Sequence, residues 1–231
     1  MTEELRAQAG DADVVVRNTT PGDFEAIAAL SAAVYTASQP WSVAQLASHH
    51  EVFPEGQFVA IERASGRLLG MAASLLLAWD DYAPDASWKE FTSRGTFKNH
   101  DPERGRTLYG AELMTAPWAR GLGVGSALYD ARRALARGLS LLRIRAGSRL
   151  RGYGAVAAIV SPIQYVIDVV RGLRIDPTLS FQLHRGFRVI DVVGGYLNHD
   201  PESLGFAATI EWLNPEMATP LALTQTSPRA T

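Results

Sequence analysis

The chain contains no cysteine, so disulfides, thiolate nucleophiles and cysteine-based zinc sites are excluded. Histidine is scarce. There are five in 231 residues; His49 and His50 are adjacent and the others isolated, which gives no metal-ligand spacing. Long apolar runs are also lacking. The most apolar stretch, Leu68 to Trp79, falls short of the ~20 residues a membrane-spanning helix needs. Met1 to Asp13 is polar and acidic and has no apolar centre of the kind a signal peptide carries. A cytoplasmic protein without a metal is expected.

What is present is the composition of a folded domain: 47% hydrophobic and 20% charged residues. The length suits one large domain, or one domain with a tail. The net charge of −2 conceals an asymmetry: Met1 to Glu103 holds 7 basic and 15 acidic residues, Arg104 to Arg151 holds 10 and 2, and the remainder 5 and 7. A basic middle segment fits either a solvated arginine face or a site for a polyanionic ligand. Nucleic acid is disfavoured, because the chain as a whole is not basic.

Strand and helix signals alternate irregularly. Val14 to Arg17, Gln57 to Glu62, Leu68 to Ala78, Thr107 to Thr115, Leu141 to Ala146, Phe187 to Leu197 and Gly205 to Trp212 read as strands. Thr20-Pro21, the capping-box pattern Ser42 to Gln45, Ser161-Pro162-Ile163-Gln164 and Asp176-Pro177 each open a helix. Another helix spans Leu122 to Arg137, with Val124, Leu128, Ala131 and Leu135 as its apolar face. Asp80 to Arg106 reads as a long irregular loop carrying Tyr82, Trp88, Phe91 and Phe97. Residues 1–12 are expected to be flexible, 13–213 to form the domain and 214–231 to be a disordered tail. Hairpins mixed with helical crossovers predict an α/β protein of the α+β type, a mixed sheet covered by helices.

The segment that carries chemistry is Arg120-Gly121-Leu122-Gly123-Val124-Gly125-Ser126. It follows a strand and opens a helix. The first turn of such a helix offers free N–H groups and a partial positive charge, and glycines let a phosphate approach the backbone. A dinucleotide fingerprint would need a glycine where Ser126 stands, and a Walker loop would need Gly-Lys-Ser or Gly-Lys-Thr. A purely structural turn is the remaining alternative, although three alternating glycines weaken a helix start.

This turn resembles the Gln/Arg-x-x-Gly-x-Gly/Ala signature of the GCN5-related N-acetyltransferases, and Pro117, Ala127 and Leu128 fit the same pattern. Ser180 to Phe187 resembles the later helix of that family, which ends in Gly-Phe. Trp79 to Tyr82, Gly95-Thr96-Phe97, Leu108-Tyr109-Gly110 and Asp176-Pro177 look like the acetyltransferase domain that some bacterial proteins carry ahead of a carbon–nitrogen hydrolase. The resemblance runs from about Val14 to Trp212. It implies a splayed mixed sheet of about seven strands with helices on both faces, and acetyl-CoA as cosubstrate. It also implies that backbone groups of Leu113, Met114 and Thr115 pair with pantetheine, and that the turn from Arg120 through Ser126 holds the pyrophosphate. Arg132, Arg133 and Arg149 are candidates for the 3′-phosphate, each competing with an ordinary surface role.

Acylating an amine requires a neutral amine, an oriented thioester and a proton for the leaving thiolate. The family's usual tyrosine acid falls at Gln182, which cannot donate as an acid; Tyr165, Tyr153 and Tyr129 are the substitutes. Glu112, on the strand beside the thioester, is the candidate base, against an exposed or salt-bridged role. Asp80, Tyr82 and His100, in the long loop, are candidates for acceptor binding. His184 is a poor base at a helix C-terminus, and His49-His50 is expected at the surface. The expected activity is acetyl transfer to a primary amine of a small molecule, amino acid or peptide. The alternatives are a degenerate acyl-CoA sensor and another nucleotide-binding enzyme. Partners are acetyl-CoA and the amine, with a homodimer left open and neither nucleic acid nor membrane.

Overall fold

The computed structural model describes residues 13–36, 39–198 and 200–219. Its seven strands are β1 Val14–Asn18, β2 Gln57–Glu62, β3 Leu68–Leu77, β4 Thr107–Thr115, β5 Arg143–Arg149, β6 Arg188–Val193 and β7 Ala207–Leu213. They form a mixed sheet in the order β1-β2-β3-β4-β5-β7-β6. Six α-helices are described: α1 Phe24–Val34, α2 Val43–Val52, α3 Trp88–Phe91, α4 Val124–Gly138, α5 Pro162–Val170 and α6 Leu179–His184. The chain divides into two compact units, residues up to Ser74 with Glu112–Leu135, and Leu75–Ala111 with Ala136 onward.

In the first unit, β1 and β2 pair antiparallel from Val14↔Glu62 to Asn18↔Phe58. Local chemistry sets the helix starts. Asp23 accepts from the Thr20 N–H at 2.7 Å and the Thr20 hydroxyl at 2.8 Å. Ser42 Oγ accepts from the Gln45 N–H at 3.2 Å while Gln45 Oε1 accepts from the Ser42 N–H at 3.1 Å. Helix α1 buries Phe24, Ile27, Leu30 and Ser31 at the spacing of one helical face. His49, expected at the surface, is buried with its ring edge-on to Trp41 at 4.9 Å.

In the second unit, β4 and β5 run parallel in register from Thr107↔Arg143 to Tyr109↔Arg145. That register stops at Tyr109, whereas β7 follows β5 antiparallel as far as Arg149↔Ala207. Side chains take over where the ladder ends. The indole of Trp88 donates to the Ala111 carbonyl at 3.0 Å. The Tyr196 ring lies on the backbone of Gly147, where a Cβ would come within 2.0 Å of it, and its hydroxyl bonds that of Tyr109.

Several predicted boundaries move. β5 begins at Arg143 rather than Leu141, because Leu141 is still tied to the preceding helix through its N–H to the Ala136 carbonyl, 2.9 Å, after Ser140 turns at φ 52°. β6 ends at Val193 rather than Leu197, at the Gly194-Gly195 turn where Gly195 has φ 69°. The stretch from Asp80 to Arg106 is not structureless: it holds α3, and Phe91 stacks on Trp79 with centroids 4.7 Å apart while Tyr82 and Tyr109 lie tilted against Phe91 at 5.0 and 4.9 Å. Asp176 is buried and caps α6, accepting from the N–H groups of Thr178 and Leu179 at 2.8 Å each. Asn214, assigned by the sequence to the tail, is buried, and its side chain donates to the Leu141 carbonyl at 2.9 Å. Residues 1–12 and 220–231 lie outside the described residues.

Candidate active site

The first unit gathers a part-buried carboxylate and its donors. Glu112 Oε1 accepts from the Tyr35 hydroxyl at 2.6 Å and from the Leu113 N–H at 3.0 Å. Oε2 accepts from the Trp41 indole at 3.3 Å. The donors are themselves held. Tyr35 closes α1 with its N–H on the Ser31 carbonyl at 2.8 Å, and the Trp41 N–H donates to Ser31 Oγ at 2.9 Å. One buried serine thus fixes both aromatic partners of Glu112. Burial raises the Glu112 pKa above the ordinary carboxylate value, opposed by the three donors and by the positive charge of Arg132.

Arg132 corrects one expectation. It is fully buried and cannot reach a 3′-phosphate. Its Nε donates to Ser74 Oγ at 2.9 Å, and its Nη2 to the carbonyls of Ala73 at 2.9 Å and Glu112 at 2.5 Å. Helix α4 buries Val124, Leu128, Arg132 and Ala136, a stripe at four-residue steps that replaces the one predicted through Ala131 and Leu135. The other 3′-phosphate candidates are engaged too. Arg149 binds Asp200 and Glu202, and Arg133 faces Asp130 at 3.6 Å.

The glycine turn opens α4. Gly121 and Gly123 take φ of 85° and 76°, a region that L side chains rarely adopt, and beyond the adjacent residues nothing lies within 4 Å of where their Cβ atoms would be. The N–H groups of Val124, Gly125 and Ser126, first in the helix, have no intrahelical acceptors. Ala127 is the first to bond back, to the Gly123 carbonyl at 3.0 Å. Arg120 is exposed beside them. The turn therefore offers an uncovered row of donors, a helix N-terminus and a guanidinium, the parts that bind a phosphate. Elsewhere in the basic segment the surplus is largely neutralised. Glu211 is shared by Arg143, Arg145 and Arg188, Arg104 pairs with Asp81, and Arg137 with Glu216.

In the second unit, Asp80 and Tyr82 line a cleft of about 320 Å³ together with Trp79, Pro84, Ile190, Asp191 and Thr209. Tyr82 Oη accepts from the Asn99 amide at 2.6 Å. His100 is not part of that lining. Its Nδ1 accepts from the Leu76 N–H at 3.0 Å, which fixes the proton of the neutral ring on Nε2. The substitute acids are packed away. Tyr129 of the first unit and Tyr153 and Tyr165 of the second are buried, and the Tyr165 hydroxyl donates to Asp176 Oδ2 at 2.8 Å. Burial, then that bond, pushes the Tyr165 pKa up. Gln182 is buried on α6. Among the described residues no group of three or more His, Asp or Glu is placed to hold a metal ion, and no helix is long and apolar enough to cross a membrane.

No protein-family model matches the chain. It is 37% identical over 205 residues to an uncharacterized N-acetyltransferase, YkwB, of Bacillus subtilis, covering 87% of this chain and 89% of that one. It is 36% identical over 214 residues to a probable hydrolase, YhcX, of the same organism, covering 93% of this chain but 41% of that protein's length. Among solved structures, the GphF GNAT-like decarboxylase in complex with isobutyryl-CoA superposes with a TM-score of 0.73 at 25% identity, over 87% of this chain and 99% of that one.

Proposed function

Because the chain belongs to the GCN5-related N-acetyltransferase family, whose cosubstrate is acetyl-CoA, we propose that it transfers the acetyl group to a primary amine of a small molecule, amino acid or peptide, with Glu112 as general base. The observation that carries this is the state of the Glu112 carboxylate. Each oxygen offers about two acceptor positions. Oε1 is filled by Tyr35 and Leu113, and Oε2 has one partner, Trp41. One position on Oε2 therefore remains for the proton of an acceptor amine. The raised pKa brings the base toward neutral pH, where proton transfer is most effective. Tyr35 and Trp41 are positioning residues that fix the direction of that free lone pair.

The chemistry balances without a dedicated acid. The neutral amine attacks the thioester carbonyl, its proton passes to Glu112 Oε2, and the carbon–sulfur bond breaks. A thiol with a pKa near about 8–9 leaves as thiolate at neutral pH and takes its proton from solvent. Gln182 in place of a tyrosine is compatible with turnover on this reading. The backbone N–H groups of the turn through Leu122 to Ser126, of which that of Leu122 also reaches the Ala119 carbonyl at 3.3 Å, hold the pyrophosphate with Arg120, and backbone groups of Leu113 to Thr115 hold pantetheine. Asp80 and Tyr82 stand in an acidic, aromatic cleft suited to a cationic acceptor, and His100 remains a candidate for the acceptor side.

The test is a panel of amines incubated with acetyl-CoA and read by release of free CoA thiol, beside melting curves with acetyl-CoA, ATP and NADH. Amine-dependent thiol release supports the proposal. A rise in melting temperature with acetyl-CoA but no thiol release with any amine establishes the sensor reading instead. Equal shifts with NADH overturn the acyl-CoA assignment.

A further inference from the structure

The first unit holds six described arginines, and four of them have protein partners. Arg17 binds Asp23, Arg63 binds Asp13, Arg132 bonds buried carbonyls and Arg133 faces Asp130. Arg67 and Arg120 remain. Arg67 lies 3.8 Å from Glu62, beyond hydrogen-bond reach, and 57% of its side chain is exposed. A guanidinium carries five N–H donors, and those of Arg67 meet no hydrogen-bond acceptor among the described residues.

What positions Arg67 is a ring. Its guanidinium lies 3.7 Å from the centroid of Trp118, a stacking that leaves the N–H edge of the fork uncovered. Trp118 is 50% exposed, although tryptophan is highly buried on average. The pair stands where α4 begins. The Ala116 N–H bonds the Leu69 carbonyl at 2.8 Å, and a Cβ on Gly70 would come within 2.9 Å of Val124 Cγ1. The start of β3 is thus packed against the first residue of α4. Trp118, in the one-turn helix Pro117–Ala119, leads directly into Arg120 and the glycine turn.

We propose that Arg67 and Trp118 form the site for the nucleotide end of CoA, with Arg67 binding the 3′-phosphate and Trp118 stacking the adenine. This rests on the reading that the glycine turn holds the pyrophosphate. A single ribose joins that pyrophosphate to both groups, so they fall on protein beside the turn. One is a phosphate and the other a flat π-system. The pair matches them with a cationic fork, which binds phosphate bidentately, and an indole, on which any base can stack. Arg120, adjoining Gly121, serves the pyrophosphate. Arg132, Arg133 and Arg149 have other partners, which leaves the 3′-phosphate to Arg67.

The experiment measures the affinities of CoA, dephospho-CoA and 4′-phosphopantetheine for the full chain by calorimetry. Dephospho-CoA lacks only the 3′-phosphate, and phosphopantetheine lacks the whole nucleotide. The wild type should bind CoA at least ~tenfold tighter than dephospho-CoA, as a hydrogen bond to a charged group implies. In Arg67→Met that preference should vanish, through weaker binding of CoA and unchanged binding of dephospho-CoA. Trp118→Leu should weaken both nucleotides by roughly 5- to 100-fold, the contribution of one stacked base, and leave phosphopantetheine unaffected. Melting temperatures should hold in both variants, since both side chains are exposed. A wild type without the preference, a preference that survives Arg67→Met, or a dephospho-CoA affinity that survives Trp118→Leu overturns the proposal and leaves the turn's role intact. A wild type that binds none of the three overturns the CoA reading of the turn, and this inference with it.

Discussion

The hydroxyl of Tyr35 donates to Glu112 Oε1 at 2.6 Å across 77 residues of sequence. A donor to a carboxylate favours its charged form, so this bond holds down a pKa that burial raises. Removing the hydroxyl in Tyr35→Phe therefore lets the Glu112 pKa rise further. If Glu112 must be ionised to act, the acid limb of the kcat profile moves to higher pH while the plateau rate falls little. Acetyl-CoA affinity is unaffected. A profile that does not move removes Tyr35 from the role given to it.

Glu112→Gln keeps the shape of the side chain and removes its proton affinity. Turnover at neutral pH should drop by ~10²–10⁴-fold, the usual contribution of a general base, with acetyl-CoA affinity nearly unchanged. The loss should shrink at high pH, where more of the acceptor amine is already neutral. Stability supplies a second readout. A carboxyl whose folded pKa lies above its unfolded value stabilises the fold below the unfolded pKa, and that contribution is lost as pH rises through the folded pKa. The wild type should therefore lose ground to the glutamine variant as pH increases from the ordinary carboxylate range toward neutrality. Parallel melting curves across that window would place Glu112 in an environment without a pKa shift.

The features legible in the sequence are those made by neighbours in the chain. The capping box at Ser42 to Gln45 and the cap of Ser161 on Gln164 each need only a few residues, and the structure builds them with the predicted partners; helices also begin after Thr20-Pro21 and Asp176-Pro177, as their sequences predict. Glu112 could be named because its strand leads into the turn, but Tyr35 and Trp41 join it only through tertiary packing. Arg132 was misread for a subtler reason. Arginine belongs on a polar face by default, yet Leu128 and Ala136 stand four residues to either side of it and all three are buried. That spacing was the available signal. Part of the basic segment's charge is likewise met by Asp200, Glu202, Glu211 and Glu216, which composition cannot bring together.

Gly123→Val tests the turn. Valine at φ 76° is strained, which costs of order 1–3 kcal/mol, and its methyl groups fill the open space above the helix N-terminus. Acetyl-CoA affinity should fall at least tenfold in a variant that still folds, as judged by its far-ultraviolet spectrum. Gly123→Ala should lie between the two. If folded Gly123→Val binds CoA as tightly as the wild type, the turn has no part in phosphate binding.

Arg132 is the last test, because it separates architecture from catalysis. Its guanidinium satisfies Ser74 Oγ and the carbonyls of Ala73 and Glu112, and burial lowers its own pKa. Arg132→Met fills the space and relieves the cost of a buried cation, but it leaves buried acceptors without that donor, at about 1–3 kcal/mol for an unsatisfied group. The melting temperature should therefore fall. The same change withdraws the positive charge that favours ionised Glu112, so the acid limb of kcat should shift upward, as in Tyr35→Phe. Arg132→Lys separates the two effects. Lysine keeps the charge but loses the planar fork, so it should restore most of the pH profile and little of the stability. If Arg132→Met melts lower but its pH profile matches the wild type, Arg132 is a structural residue alone. If it melts unchanged, the three hydrogen bonds contribute nothing net, and water has taken the place of the guanidinium.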